Sequence, residues 1–182
     1  MNKEPNNDDE DDDEPSNHPA GFRNCMTPIG HQTLCDELEH LVRKERPHIT
    51  EIVSWAAGNG DRSENGDYIY NKKKLREIDR RIRYLTKKLE DAEIVDPATQ
   101  QGLEQVFFGA TVTYIREDER EVTVTLVGVD EADYSAGKIN WLSPVGRALM
   151  KAKVGDEVTV RIEEKKEILE VIHVHYYSGQ EQ

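Results

Sequence analysis

Apolar residues along this chain follow two periods, and the change between them falls near residue 97. Leu34, Leu38, Leu41, Ile49, Ile52, Val53 and Ala56 recur at helical spacing, with Thr27 as N-cap and Pro28 at the first helical position. Pro47 breaks the regularity and predicts a kink or an altered turn, because it has no N–H and its ring crowds the turn before it. Gly58, Asn59 and Gly60 end the pattern. A second helix is predicted from about Glu64 to Glu93, where Leu75, Ile78, Ile82, Leu85 and Leu89 form a heptad seam. Two helices joined by a short Gly/Asn turn make an antiparallel hairpin, a finger about 40 Å long whose tip is the segment 58–66.

Beyond Asp96 the period becomes two. Pro97 to Gly102 reads as a linker. Segments 110–115, 121–129, 138–141, 157–162 and 168–177 alternate or are rich in Val, Ile, Thr and Tyr, and predict strands. Ser143-Pro144 opens a short helix reaching about Lys151, with Ser143 as N-cap. The expected fold is α+β: an acidic tail over 1–26, a coiled-coil finger over 27–96, a linker over 97–102 and a β-rich domain over 103–182.

Composition changes this picture in one respect. The chain has 182 residues, only 36% of them hydrophobic, which favours thin elements over one deep core. A net charge of −13 argues at first against a polyanionic partner. Resolved along the chain, however, residues 67–88 hold nine basic groups against three acidic ones. Residues 2–19, with Asp8–Glu14 all acidic, have too little apolar surface to offset ordering and are expected to be disordered: a solvated tail, or one that mimics nucleic acid. Met26 offers an internal start that would make this tail an optional extension. No apolar run is long enough to span a membrane, the acidic N-terminus lacks the core of a secretory signal, and Cys25 and Cys35 have no zinc-like spacing. A cytoplasmic, reduced, monomeric protein is expected.

The finger tip carries the candidate chemistry. Asp61 and Glu64 are three apart, which puts both carboxylates on one side of a turn. One reading makes Asp61 or Ser63 a helix cap, with Glu64 and Asp67 favoured by the helix dipole. The other makes the pair oxygen ligands for Mg²⁺, too few for a tight site unless a partner completes it. On the following helix Lys72, Lys73, Lys74, Arg76, Arg80, Arg81, Arg83, Lys87 and Lys88 crowd together. Lys73, Arg76, Arg80, Arg83 and Lys87, spaced 3, 4, 3, 4, form a stripe beside the seam that suits a phosphate backbone. His173 and His175 share a strand face, but without a third ligand ordinary strand packing is expected.

Several motifs occur together: Thr27-Pro-Ile-Gly30, Glu45-Arg-Pro47, Gly60-Asp-Arg-Ser-Glu-Asn65, Asp67-Tyr68, the run Tyr70 to Leu85, and Ser143-Pro-Val-Gly-Arg-Ala-Leu149. In this combination, over residues 27 to about 177, the chain resembles the bacterial transcript cleavage factors of the GreA/GreB family, and their GreB branch in particular. The family departs from this chain at Gly66, where Ala is usual, at Leu142, and in lacking the acidic tail.

The resemblance implies a coiled coil followed by an FKBP-like domain, with no isomerase activity conferred by that fold. It implies docking on bacterial RNA polymerase through the globular domain, with Ser143, Pro144 and Arg147 at the contact. The finger would enter the secondary channel, where Asp61 and Glu64 help hold a Mg²⁺ completed by the polymerase. The polymerase's own endonuclease would then cut the 3′ end of backtracked RNA, which the basic residues Lys72, Lys73, Lys74, Arg76, Arg80, Arg81, Arg83 and Lys87 would contact. The chain would not be a stand-alone enzyme. The alternative is a channel-binding protein that modulates initiation or inhibits without cleavage; intact Asp61 and Glu64 favour cleavage.

Overall fold

The computed structural model describes residues 23–59 and 65–177. Thr27 caps the first helix as its side-chain oxygen accepts from the Gly30 N–H at 3.0 Å, and α1 runs Pro28–His40. A wide π turn follows at Leu41–Glu45, closed by the Arg46 N–H on the Leu41 carbonyl, and α2 continues over Arg46–Ala57. The altered turn expected at Pro47 is therefore present, just before the proline. Its second cause is register. Leu41 and Ile49 are eight residues apart, which in a regular helix leaves them roughly 80° out of line. The wide turn absorbs one residue, so both are buried in the seam.

The return helix α3 spans Gly66–Glu90. Its seam residues Ile78 and Leu85 are buried against Leu34, Leu41 and Ile49, with Leu38, Ile52, Val53, Leu75, Ile82 and Leu89 around them. After α3 the chain forms β2, Glu93–Ile94, which pairs in parallel with β1, Cys25–Met26. Cys25 and Met26 were assigned by pattern to the acidic tail; here they are buried strand residues at the root of the finger. The apolar Cys-Met pair was the available signal, masked by the polar run before it.

Pro97–Gln100, expected as linker, is a 3₁₀ turn. The sheet that follows has strand order β5-β4-β3-β7-β6, with β3 Thr111–Arg116, β4 Glu121–Val127, β5 Lys138–Asn140, β6 Glu157–Ile162 and β7 Lys165–His175. Only the β4–β5 pairing is parallel. Val112, Tyr114, Val124, Leu126, Val160, Leu169 and Val171 face inward and pack with Leu149 of α4, Pro144–Leu149. Gly146 lets α4 lie against the chain below it, since a Cβ there would sit 2.6 Å from the Trp141 carbonyl oxygen. A bulge shifts the β3–β7 register between Thr113 and Tyr114, so Thr113 faces His173 while Tyr114 faces Val171. The strand alternation is thereby reversed, and His173 and His175 leave the inward face that Leu169 and Val171 occupy.

Hairpin and sheet meet through two neighbouring acids in a 3₁₀ turn, Val129–Glu131. The Glu131 carboxylate accepts from the Thr27 N–H at 3.0 Å, from the Thr27 hydroxyl, and from the Gly128 N–H at 3.0 Å. Asp130 accepts from the Tyr84 hydroxyl of α3 and lies 3.8 Å from the Lys88 ammonium. Burial first, and then the bond to Asp130, push the Tyr84 phenol well above its ordinary value. Gly30 is required by close approach, because a Cβ there would overlap the Glu131 carboxylate.

Candidate nucleic-acid interface

The basic residues of α3 fall into two sets. At 100° per residue the stripe Lys73, Arg76, Arg80, Arg83, Lys87 is centred opposite the apolar seam, not beside it as the sequence reading placed it. All five are exposed, and among the described residues none has an ion-pair partner. Lys72 is also exposed and lies over the Tyr68 ring at 5.9 Å.

The second set is engaged within the protein. Arg81 grips Glu37 of α1 with two bonds, at 2.7 and 2.8 Å, and this contact holds the Glu37 carboxyl below its ordinary range. Lys74 pairs with Glu45 at 3.3 Å, and Lys88 reaches towards Asp130 while lying 5.5 Å from the Tyr84 ring. A further link, Arg46 to Asp79 at 2.7 Å, joins α2 to α3. Lys74 and Arg81, grouped by sequence with the nucleic-acid contacts, thus tie the hairpin together. Sequence spacing gives a helical angle; it does not show where a carboxylate from the other helix lies.

The two tip carboxylates, Asp61 and Glu64, lie outside the described residues, as does Ser63. The structure assigns the cap of α3 to Asn65 in place of Asp61 or Ser63. The Asn65 side-chain oxygen accepts from the Tyr68 N–H at 3.1 Å, while its amide donates to the Ala56 carbonyl of α2 at 2.8 Å. One side chain therefore caps one helix and holds the end of the other. Asn directly before the helical run was the signal available in the sequence. Two large aromatics close to the tip, Trp55 and Tyr70, are 67% and 68% exposed and had not been singled out.

On the β-rich domain, Ser143 spends its hydroxyl on the Gly146 N–H at 3.0 Å, capping α4, while Pro144 and Arg147 are exposed. His173 and His175 pack side by side along β7: both are exposed, with rings 6.2 Å apart, and the Tyr177 ring is 4.2 Å from that of His175. The bulge in β7 sets the face on which they lie. The described residues contain no group of three or more His, Cys, Asp or Glu side chains able to hold a metal. Cys25 is buried, which pushes its thiol up, and Cys35 is half-buried with its sulfur 3.8 Å from His31 Nδ1. No helix among the described residues is long and apolar enough to cross a membrane.

Two family profiles match this chain. The one described as the N-terminal part of a transcription elongation factor matches residues 24–94, and the one described as the C-terminal part of the transcription elongation factors GreA/GreB matches residues 100–176. The transcription elongation factor GreB of Neisseria meningitidis serogroup B is 57% identical over 154 residues, covering 85% of this chain and 94% of that protein. GreB of Yersinia pestis is 48% identical over 154 residues, covering 84% and 89%, and GreB of Pseudomonas putida is 46% identical over 156 residues, covering 86% and 96%. With the helical hairpin and the curled sheet in place, the chain belongs to the GreA/GreB family of transcription elongation factors.

Proposed function

We propose that this protein enters the secondary channel of bacterial RNA polymerase finger first and stimulates the polymerase's intrinsic, Mg²⁺-dependent cleavage of backtracked RNA 3′ ends. The observation that carries this reading is the division of labour on α3. Cations facing the partner helix are neutralised by ion pairs, whereas five on the outward face have no partner among the described residues. A row of unpaired cations on a narrow rod suits an RNA backbone lying along it. Ser143, Pro144 and Arg147 would contribute to docking on the polymerase, with Pro144 and Arg147 offering exposed surface.

Asp61 and Glu64 would complete the chemistry at the tip. Two carboxylates leave most of a Mg²⁺ coordination shell open, so the polymerase supplies the remaining ligands. When bound between the two proteins, the metal supplies water activation and charge stabilisation for phosphodiester hydrolysis. This chain contributes ligands and placement and is not an enzyme by itself.

The test is transcript shortening in stalled, backtracked polymerase complexes with Mg²⁺, comparing the parent with Asp61→Asn/Glu64→Gln. The parent should release 3′ fragments and the double variant should bind the polymerase but cleave poorly. Equal cleavage by both removes the ligand role. A parent that binds without releasing fragments would make this a non-cleaving channel protein.

A further inference from the structure

We propose that the acidic run Asp8–Glu14 is an intramolecular ligand of the basic stripe on α3, where it competes with single-stranded RNA. The contact itself stands on charge and placement. The competition rests on the RNA reading of the stripe given above.

The placement comes from the root of the finger. Asn24, a buried polar residue, donates its side-chain amide to the Lys88 carbonyl at 2.8 Å, and Arg23 pairs with Glu93 just after α3. Strand β1 then fixes Cys25 and Met26 against Glu93 and Ile94. Arg23 and Asn24 are therefore held at the level of the last turn of α3, whose Lys87 is the first residue of the stripe met from that end. From Arg23, Glu14 is nine residues away and Asp8 fifteen, so the acidic run can be up to about 30–50 Å distant. Lys87 to Lys73 spans 14 residues of helix, about 21 Å. The run can cover the whole stripe with chain to spare.

The charges are opposite in sign, and the carboxylates outnumber the cations. Asp8, Asp9, Glu10, Asp11, Asp12, Asp13 and Glu14 are seven consecutive carboxylates, and the stripe offers Lys73, Arg76, Arg80, Arg83 and Lys87. Arg46, Lys74 and Arg81 are paired with carboxylates of the facing helix, whereas these five have no ion-pair partner among the described residues. Tethering sets the local concentration of the acidic run in the millimolar range, so even a weak electrostatic match is populated. With a Debye length of about 8 Å at physiological salt, the contact is salt-sensitive. An RNA 3′ segment would present negative charge to the same face and has to displace the run.

Two measurements on the full-length protein test this. First, zero-length carbodiimide crosslinking at low salt, read by peptide mass spectrometry, should join Asp8–Glu14 to Lys73 and Lys87 in preference to Lys151 and Lys153, two of the exposed lysines of the sheet domain, and lose that preference in high salt. Crosslinks spread evenly over all four lysines, or absent, overturn the contact. Second, neutralising the run (each Asp→Asn, each Glu→Gln) should tighten binding of a labelled single-stranded RNA about tenfold at low salt. The same neutralisation should do nothing on an Arg76→Ala/Arg80→Ala/Arg83→Ala background. An equal gain on both backgrounds overturns competition at the stripe. If the triple-alanine protein binds RNA as well as the parent, the RNA reading fails and takes competition with it, while the crosslinks still decide the intramolecular contact.

Discussion

Asn65 spans the gap at the finger tip with two atoms of one side chain, and the two can be separated. Asn65→Asp keeps the oxygen that caps Tyr68 and loses the donor to the Ala56 carbonyl; Asn65→Ala loses both. Denaturant unfolding should show a loss of about 1–2 kcal/mol for the alanine and an intermediate loss for the aspartate. Equal values would mean that the bridge to α2 contributes nothing. Gly66, next in sequence, has open space where a Cβ would be and no left-handed backbone. Gly66→Ala should therefore stabilise, by up to about 1 kcal/mol, and a lower melting temperature would contradict the open geometry. Gly30 is the opposite case. Gly30→Ala forces the Glu131 carboxylate off its three donors, so a destabilisation of about 1–3 kcal/mol is expected in the same unfolding measurement.

At the scale of elements, the hairpin is held by a seam and edged by ion pairs, and the ion pairs respond to acid. Glu37 is held below its ordinary value by Arg81, and Glu167 below its own by Arg116, which grips it at 2.6 and 2.8 Å. A lowered folded-state value means the contribution is full above the unfolded glutamate range, near 4.3, and is lost as pH falls through the lower folded value. Glu37→Gln should thus lower the unfolding free energy slightly at neutral pH, by less than about 1 kcal/mol because both partners are partly solvated. The gap to the parent should close as pH falls below the unfolded glutamate range, near 4.3, and a gap that persists or widens there would assign it to packing. The wide turn before Pro47 makes another forecast. Because register demands it, Pro47→Ala should leave helical circular dichroism and cooperative melting essentially unchanged. A large rise in helix content would make the proline its sole cause.

For the molecule as a whole, the finger is a lever whose aim is set at its root. A rotation of about 10° there displaces a tip 40 Å away by roughly 7 Å, more than the reach of a carboxylate to a metal. Asp130 and Glu131, clasping Tyr84 and Thr27, hold that angle. Removing both acids should broaden the distance distribution between spin labels on Arg76 and Lys151, measured by pulsed electron resonance, and lower cleavage per bound factor more than binding. The sequence by itself determined the two helical arms, the seam from Leu75 to Leu89, the five strands of the large sheet to within a few residues, and the family, because those follow from local periodicity and from motifs contiguous in the chain. Tertiary structure decided what depends on partners distant in sequence. Arg81 became a tie to Glu37 while Arg80 remained exposed, Cys25 moved from tail to strand, Asn65 took the cap, and one bulged residue in β7 put His173 and His175 outside. Periodicity reports which way a side chain points along its own element; only the folded chain brings the opposite charge, the close backbone or the register shift that decides what it does there.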